Sequence, residues 1–139
     1  FGMRVSKFSN DAIDNLVIPL RRTVEIFALR QYFHEINIQD IRSWENCLKK
    51  MKIACKEKSF NKIIECDIEF HRLIVERSNI VDVISIWNLL ISRVQGHFMR
   101  NYHKYRDPME IYFEHEAILS MFRTGKLDSA IQILESNIE

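Results

Sequence analysis

The sequence predicts an all-α protein. Apolar residues recur with a helical period from about residue 9 almost to the last residue, and no stretch alternates as a strand would. Glycine and proline, which interrupt helices, occur only three times and twice in 139 residues. A chain of this length suits one domain with one core. We therefore expect an antiparallel bundle of about six helices over residues 9–139, preceded by an irregular lead-in at residues 1–8.

The first helix is predicted to begin near Ser9 and to reach about His34. Pro19 must bend this helix or mark its true first turn, because proline has no backbone N–H to donate. Several sides of the helix are apolar, which is typical of a central element. Arg22 shares a face with apolar residues, so its guanidinium either extends to the rim or turns inward to bind an anion.

The second helix is predicted to begin after the break at residues 37–40. Its buried stripe consists of Ile41, Trp44, Leu48, Met51 and Ala54. Its lysines lie outside this stripe and alternate with acidic residues, which is typical of a solvated face. The whole chain has a formal charge of +1 and no block of like charge, so we expect that it does not bind DNA by itself.

The third helix, over residues 60–75, carries polar groups on its apolar face. At about 100° per residue, Asp67 and His71 are neighbours in the middle of the apolar arc. Burying these groups without partners would cost a few kcal/mol. The sequence therefore implies a metal ion, a bound ligand or a private hydrogen-bonded pair in the interior.

The later helices repeat this pattern. A single long fourth helix is predicted from Asn79 to about Tyr105, and its inner stripe continues through Arg93, at the edge, to His97 and Asn101. These polar side chains are candidates for contacts with a ligand in the core, although a lone buried His is most often a satisfied core residue.

The fifth helix is predicted between Pro108 and Gly125, with His115 at the centre of its apolar arc and Tyr112 within that arc. The sixth helix follows over residues 126–139, and Asn137 lies beside its apolar stripe. An Asp, a His and another His are thus each directed at the core from the third and fifth helices.

Asp67, His71 and His115 form a pattern that can hold a metal in a helical bundle. Imidazole nitrogens with one carboxylate suit zinc, nickel, iron or manganese better than calcium. Three protein ligands with an open position would also suit a zinc hydrolase, although no further general base is placed by the sequence. The remaining alternative is a metal-free bundle in which Asp67 and His71 form a buried ion pair.

The three cysteines indicate a reducing compartment. Cys47, Cys55 and Cys66 are an odd number, show no CxxC spacing and follow no signal peptide, so we expect buried thiols in a cytoplasmic protein. No apolar run reaches the roughly 20 residues of a membrane span.

Several runs carry a resemblance to a known family. They are Arg22-Thr23-Val24-Glu25, Asp67-Ile68-Glu69-Phe70-His71, the Ser78-Asn79 restart, Glu114-His115-Glu116-Ala117-Ile118-Leu119 and Thr124-Gly125-Lys126-Leu127-Asp128-Ser129-Ala130. In their order and spacing the sequence resembles the C-terminal ligand-binding (FCD) domain of GntR-type bacterial transcription regulators of the FadR subfamily, over residues 9–139. Residues 2–5 resemble the last strand of the winged helix-turn-helix domain that precedes it.

The resemblance implies an effector-sensing domain that forms a homodimer and controls DNA binding by an N-terminal domain outside this chain. It implies a divalent metal (Zn, Ni or Mn) held by Asp67, His71 and His115, with Asn137 where the family has a fourth His. It also implies a small organic acid as effector. Candidate effector contacts are Arg22, Arg93, His97, Asn101 and Tyr112.

Overall fold

A computed structural model describes residues 9–139 as helices joined by short connections, without a strand. The helices are α1 (Ile18–Tyr32), α2 (Ile38–Lys56), α3 (Phe60–Glu76), α4 (Val81–Arg93), α5 (Gln95–Tyr102), α6 (Met109–Thr124) and α7 (Leu127–Asn137). The predicted all-α bundle is confirmed. The lead-in predicted at residues 1–8 lies outside the described residues.

The chain enters α1 through a widened turn. Ser9 caps a helical turn at Asn10–Ala12 by accepting a hydrogen bond from the Ala12 N–H, and a π-helical turn at Ile13–Val17 follows. Pro19 lies in the first turn of α1. Because Pro19 cannot donate a backbone hydrogen bond, the regular ladder cannot run through this point, which accounts for the irregular turns before it.

The predicted helix boundaries at residues 37–40 and at Gly125 are confirmed by their local chemistry. Asn37 and Asp40 cap α2 reciprocally, each side chain accepting a hydrogen bond from the other's backbone N–H. Gly125 ends α6 in the left-handed region with φ 68°, a conformation that glycine adopts without the steric cost of a Cβ.

The prediction of a single fourth helix is wrong, because this segment divides at Val94 into α4 and α5. Val94 has φ −116° and ψ 7°, outside the helical region, so the two helices do not share one phase. A β-branched residue followed two positions later by Gly96 is a weak stretch for helix continuation. The bundle therefore has seven helices in the described part of the chain, and side chains after Val94 point in directions that continuous periodicity does not give.

The core forms around α3, which packs between α1 and α2. α2 also packs against α6, and α6 packs against α7. Four apolar residues of α3 are completely buried, namely Ile63, Phe70, Ile74 and Val75. No helix in the described residues is long and apolar enough to cross a membrane.

Candidate metal centre

Asp67 and His71 from α3 meet His115 from α6 inside the bundle. Their side chains are 6%, 0% and 1% exposed, and one potential ligand atom of each lies within 4.8 Å of the others. Asp67 Oδ1 is 2.8 Å from His115 Nε2 and 3.3 Å from His71 Nε2. Asn137, at the end of α7, places Oδ1 2.9 Å from His71 Nε2. The four side chains predicted as ligands thus converge on one place.

These distances fit a transition-metal ion. Donor atoms that each lie about 2.1 Å from one zinc ion are about 3.4 Å from one another in a tetrahedral site. The separations of Asp67 Oδ1 from the two histidine nitrogens are 2.8 and 3.3 Å, and all three donors lie within 4.8 Å of one another, so an ion would require the side chains to shift to equal distances. The amide oxygen of Asn137 is a harder ligand than an imidazole nitrogen. Asn137 is thus the one candidate ligand that is neither a histidine nor a carboxylate.

The other nitrogen of each imidazole is held by an acceptor. His71 Nδ1 lies 2.5 Å from Glu25 Oε1, and His115 Nδ1 lies 2.7 Å from the backbone oxygen of Ile111. An N–H on Nδ1 donates to these oxygens, which leaves Nε2 directed at the common point. This is the arrangement that orients histidine ligands in metal sites.

Both ring nitrogens of His71 lie next to oxygen acceptors, and this favours the protonated, positively charged form of the imidazole. Burial, the largest influence, lowers the pKa of His71, but the Glu25 carboxylate and the hydrogen bonds with Asp67 and Glu25 outweigh burial and raise the pKa to about 9. Burial likewise raises the pKa of Asp67, yet His115 and His71 hold it well below its usual range. In the metal-free protein at neutral pH, a cationic imidazole therefore stands beside an ionised carboxylate.

Glu25 is a buried carboxylate that the sequence reasoning missed. Besides His71, it accepts hydrogen bonds from Arg21 Nε at 2.8 Å and from Trp87 Nε1 at 2.9 Å, and it is 0% exposed. Burial raises the pKa of Glu25, but His71 and Arg21 together lower it by more than burial raises it, so the carboxyl group is ionised. The available signal was the spacing of Arg21 and Glu25, which are four residues apart and so neighbours on one helix.

A small cavity of about 20 Å³ adjoins Asp67, His115 and Asn137, whereas His71 is not part of its wall. Its wall includes Arg21, Asp67, Phe98, Asn101, Tyr102, Tyr105, Ile111, Glu114, His115, Asn137 and Glu139. The Tyr102 hydroxyl donates a short hydrogen bond to Asp67 Oδ2, and Tyr105 donates to Glu114 Oε1 at 2.8 Å. This volume holds about one water molecule or one ion. A larger ligand would require the wall to move.

One of the five predicted effector contacts lies in the wall of this cavity. Asn101 lines it and donates to the backbone oxygen of Glu139 at 3.1 Å. Arg22 is half-buried, and its Nε donates to the backbone oxygen of Ile138 at 2.7 Å. The inward guanidinium belongs to Arg21, which is 3% exposed. The sequence could not choose between adjacent arginines because α1 is apolar on several sides.

Arg93, His97 and Tyr112 are also absent from the wall of this cavity, although His97 Nε2 lies 3.1 Å from the backbone oxygen of Glu139, which belongs to the wall. Arg93 and His97 line a separate groove with Arg100. The break at Val94 changes the helical phase of His97, whereas Arg93 precedes the break and lies on the exposed side of α4. Tyr112 is half-buried on another side of α6, where the Lys52 ammonium lies 5.6 Å from its ring centre.

Fold and site together define a helical bundle with a polar cluster in its core, and the comparisons assign its family. The family model "FCD domain" matches residues 17–139, most of the chain, so the protein belongs to the FCD domain family. It has the fold of E. coli McbR/YncC, a GntR-family regulator, with a TM-score of 0.79 and 17% sequence identity. That match covers 94% of this chain, whereas this chain spans only 65% of that one. A comparison with curated proteins finds no match.

Proposed function

We propose that this domain is the effector-sensing part of a bacterial GntR-type transcription regulator. It binds a divalent metal (Zn, Ni or Mn) through Asp67, His71 and His115, with Asn137 as a weaker fourth ligand. It also binds a small carboxylate and controls DNA binding by an N-terminal domain that is not part of this chain. It acts as a homodimer in the cytoplasm and has no enzymatic activity.

The metal proposal rests on three buried side chains that converge on one point, because the Nδ1 atom of each histidine is already hydrogen-bonded to another oxygen. His71 donates from Nδ1 to Glu25, and His115 donates from Nδ1 to Ile111, so both Nε2 atoms are directed at Asp67. A purely structural ion pair would need only one histidine beside this carboxylate. A bound ion would supply positive charge at this point and an open position for an oxygen ligand.

Arg21 is the proposed partner of the effector carboxylate. It lines the cavity next to Asp67 and uses Nε to bind Glu25, which leaves its terminal NH₂ groups as donors suited to a bidentate carboxylate contact. Because the cavity is small, an effector must displace part of its wall. The short helix α5 supplies Phe98, Asn101 and Tyr102 to that wall, so we propose α5 as the part that moves.

Native mass spectrometry of the freshly purified protein tests the proposal as a whole. We expect a dimer that carries about one divalent ion per chain and, in part of the population, a small acidic ligand. Protein without metal, and without metal uptake from added Zn²⁺, Ni²⁺ or Mn²⁺, would support a metal-free bundle. The hydrolase alternative has Glu114 in the cavity wall as a possible base, and turnover of ester or amide substrates by the metal-loaded protein would favour it.

Arg21→Lys is expected to weaken binding of acetate and succinate to the metal-loaded protein roughly tenfold. Lysine keeps the charge beside Glu25 but cannot make the planar bidentate contact. Isothermal titration gives the affinities. Arg22→Lys is the matched control on the neighbouring residue and should change them less than about threefold. Equal losses in both variants, or a loss only in Arg93→Ala, would place the carboxylate elsewhere.

Metal affinity is expected to fall as the pH is lowered. The fall should begin at a higher pH than the sequence alone predicts. An unperturbed histidine implies loss of metal below about pH 6. With the pKa of His71 raised to about 9, the ion must displace a proton already at neutral pH, so apparent affinity should fall about tenfold per pH unit below about 9. Chelator competition at pH 7, 8 and 9 measures the slope, and a flat profile would contradict it.

A further inference from the structure

The wall of the cavity beside the candidate metal centre has more acidic than basic side chains. Asp67, Glu114 and Glu139 line it, and Arg21 is the only arginine or lysine among the residues of this wall. Asp67 and Arg21 are buried, whereas Glu139 is exposed. A ligand that offers only a carboxylate would satisfy Arg21 but would place another negative charge beside these acidic groups.

The hydrogen-bond donors of the wall are already in use. The Tyr102 hydroxyl donates to Asp67, and the Tyr105 hydroxyl donates to Glu114 at 2.8 Å. Each phenol has a single hydrogen, so neither hydroxyl can donate to a ligand without breaking its present bond. Asn101 donates to a backbone oxygen at 3.1 Å. The wall therefore has more acceptor than donor capacity to offer a ligand.

Glu114 is the acceptor with capacity left. Its two hydrogen bonds, from Tyr105 at 2.8 Å and from Asn137 at 3.3 Å, both end on Oε1. Within the part of the chain that the structure describes, Oε2 accepts no hydrogen bond. A carboxylate oxygen forms its strongest hydrogen bonds with charged donors. A positively charged donor group on a ligand would therefore suit Glu114.

The charge balance with a bound metal ion favours the same kind of group. Histidine ligands must be neutral to coordinate, so a divalent ion contributes two positive charges and Arg21 contributes one. The carboxylates of Asp67, Glu25 and Glu114 balance these charges. A carboxylate ligand would then add a charge without a partner, which is costly in a buried site. A ligand that also carries an ammonium group would keep the balance.

We propose that the effector is a small α-amino acid, whose carboxylate binds beside Arg21 and whose ammonium group donates to Glu114. The inference rests on the carboxylate effector of the proposed function and specifies its chemical class. Arg21 and Glu114 line one cavity of about 20 Å³, the volume of about one water molecule. The two charged groups of the ligand must therefore lie close together, and in an α-amino acid a single carbon joins them.

L-alanine, L-lactate and propionate test this class, because they share a carboxylate and a chain of equal length. They differ only in the ammonium, hydroxyl or hydrogen at one carbon. Isothermal titration into the Zn²⁺-loaded 139-residue chain should show L-alanine binding roughly tenfold more tightly than propionate, with L-lactate between them. A chain that takes up no Zn²⁺ is titrated without metal, and the same order is required.

The outcomes separate this inference from the proposed function. Propionate or L-lactate binding as tightly as L-alanine would overturn the amino-acid class and leave the carboxylate effector in place. No binding of any of the three would overturn both. Zn²⁺ content measured after each titration shows that the amino acid has not removed the ion.

Glu114→Gln identifies the partner of the ammonium group. It removes the charge but keeps the size of the side chain, so the affinity for L-alanine should fall roughly tenfold while that for propionate changes less than about threefold. Glu110→Gln is the matched control, because Glu110 is exposed one turn earlier on α6, and it should leave all three affinities unchanged. If L-alanine keeps its advantage in Glu114→Gln, its amino group binds elsewhere, and the assignment of Glu114 is overturned.

Discussion

His71→Ala and His115→Ala are each expected to lower the affinity for Zn²⁺ about 100-fold or more. Each variant removes one of three strong ligands from a buried site, and no other described histidine belongs to this cluster. Asn137→His is expected to act in the opposite direction. It replaces an amide oxygen, 2.9 Å from His71 Nε2, with an imidazole that binds Zn²⁺ more strongly.

Chelator competition on the purified variants compares these affinities. His34→Ala provides the control, because His34 is exposed in the short turn that follows α1 and its loss should not change metal affinity. The thermal stability of each variant with and without Zn²⁺ reports the same ranking, since a ligand that binds only the folded state raises its stability. Equal Zn²⁺ affinity in the wild type and both Ala variants would contradict the proposed metal site and indicate that these side chains form only a buried polar cluster.

The inward direction of Asp67, His71 and His115 could be predicted because each lies within a regular helix. There the angle between two side chains follows from their separation in the sequence alone. Asp67 and His71 belong to the most clearly amphipathic helix of the chain, so their position in the apolar arc was unambiguous. Their roles as metal ligands stay a prediction.

The partners of this cluster could not be predicted because they depend on how helices meet. Glu25 lies on α1, whose apolar residues surround the helix, so no face identified it as buried. The widened turn before Pro19 also shifts the start of the regular phase. Arg93 lies at the edge of the apolar stripe of α4, where periodicity alone does not decide between an inward and an exposed side chain, and the structure places it on the exposed side.

Glu25 links the two halves of the proposed site. One carboxylate oxygen accepts from His71, a candidate metal ligand, and the other accepts from Arg21, the proposed effector contact. Trp87 adds a third donor from α4. A change in the position of Arg21 on effector binding would therefore act through Glu25 on both His71 and Trp87. These side chains form a contiguous path of hydrogen bonds from the cavity to the candidate metal ligand and to α4.

Glu25→Gln is expected to lower the free energy of unfolding by about 3–5 kcal/mol. The amide removes the negative charge beside buried Arg21, and its NH₂ group faces donors where an acceptor is needed, so a buried charge loses its partner. Urea denaturation in the presence of EDTA measures this loss without a contribution from metal. Glu45→Gln is the control, because it breaks the exposed pair with Arg123 and should cost less than about 1 kcal/mol. A similarly small cost for Glu25→Gln would contradict the assignment of Glu25 as the ionised centre of this network.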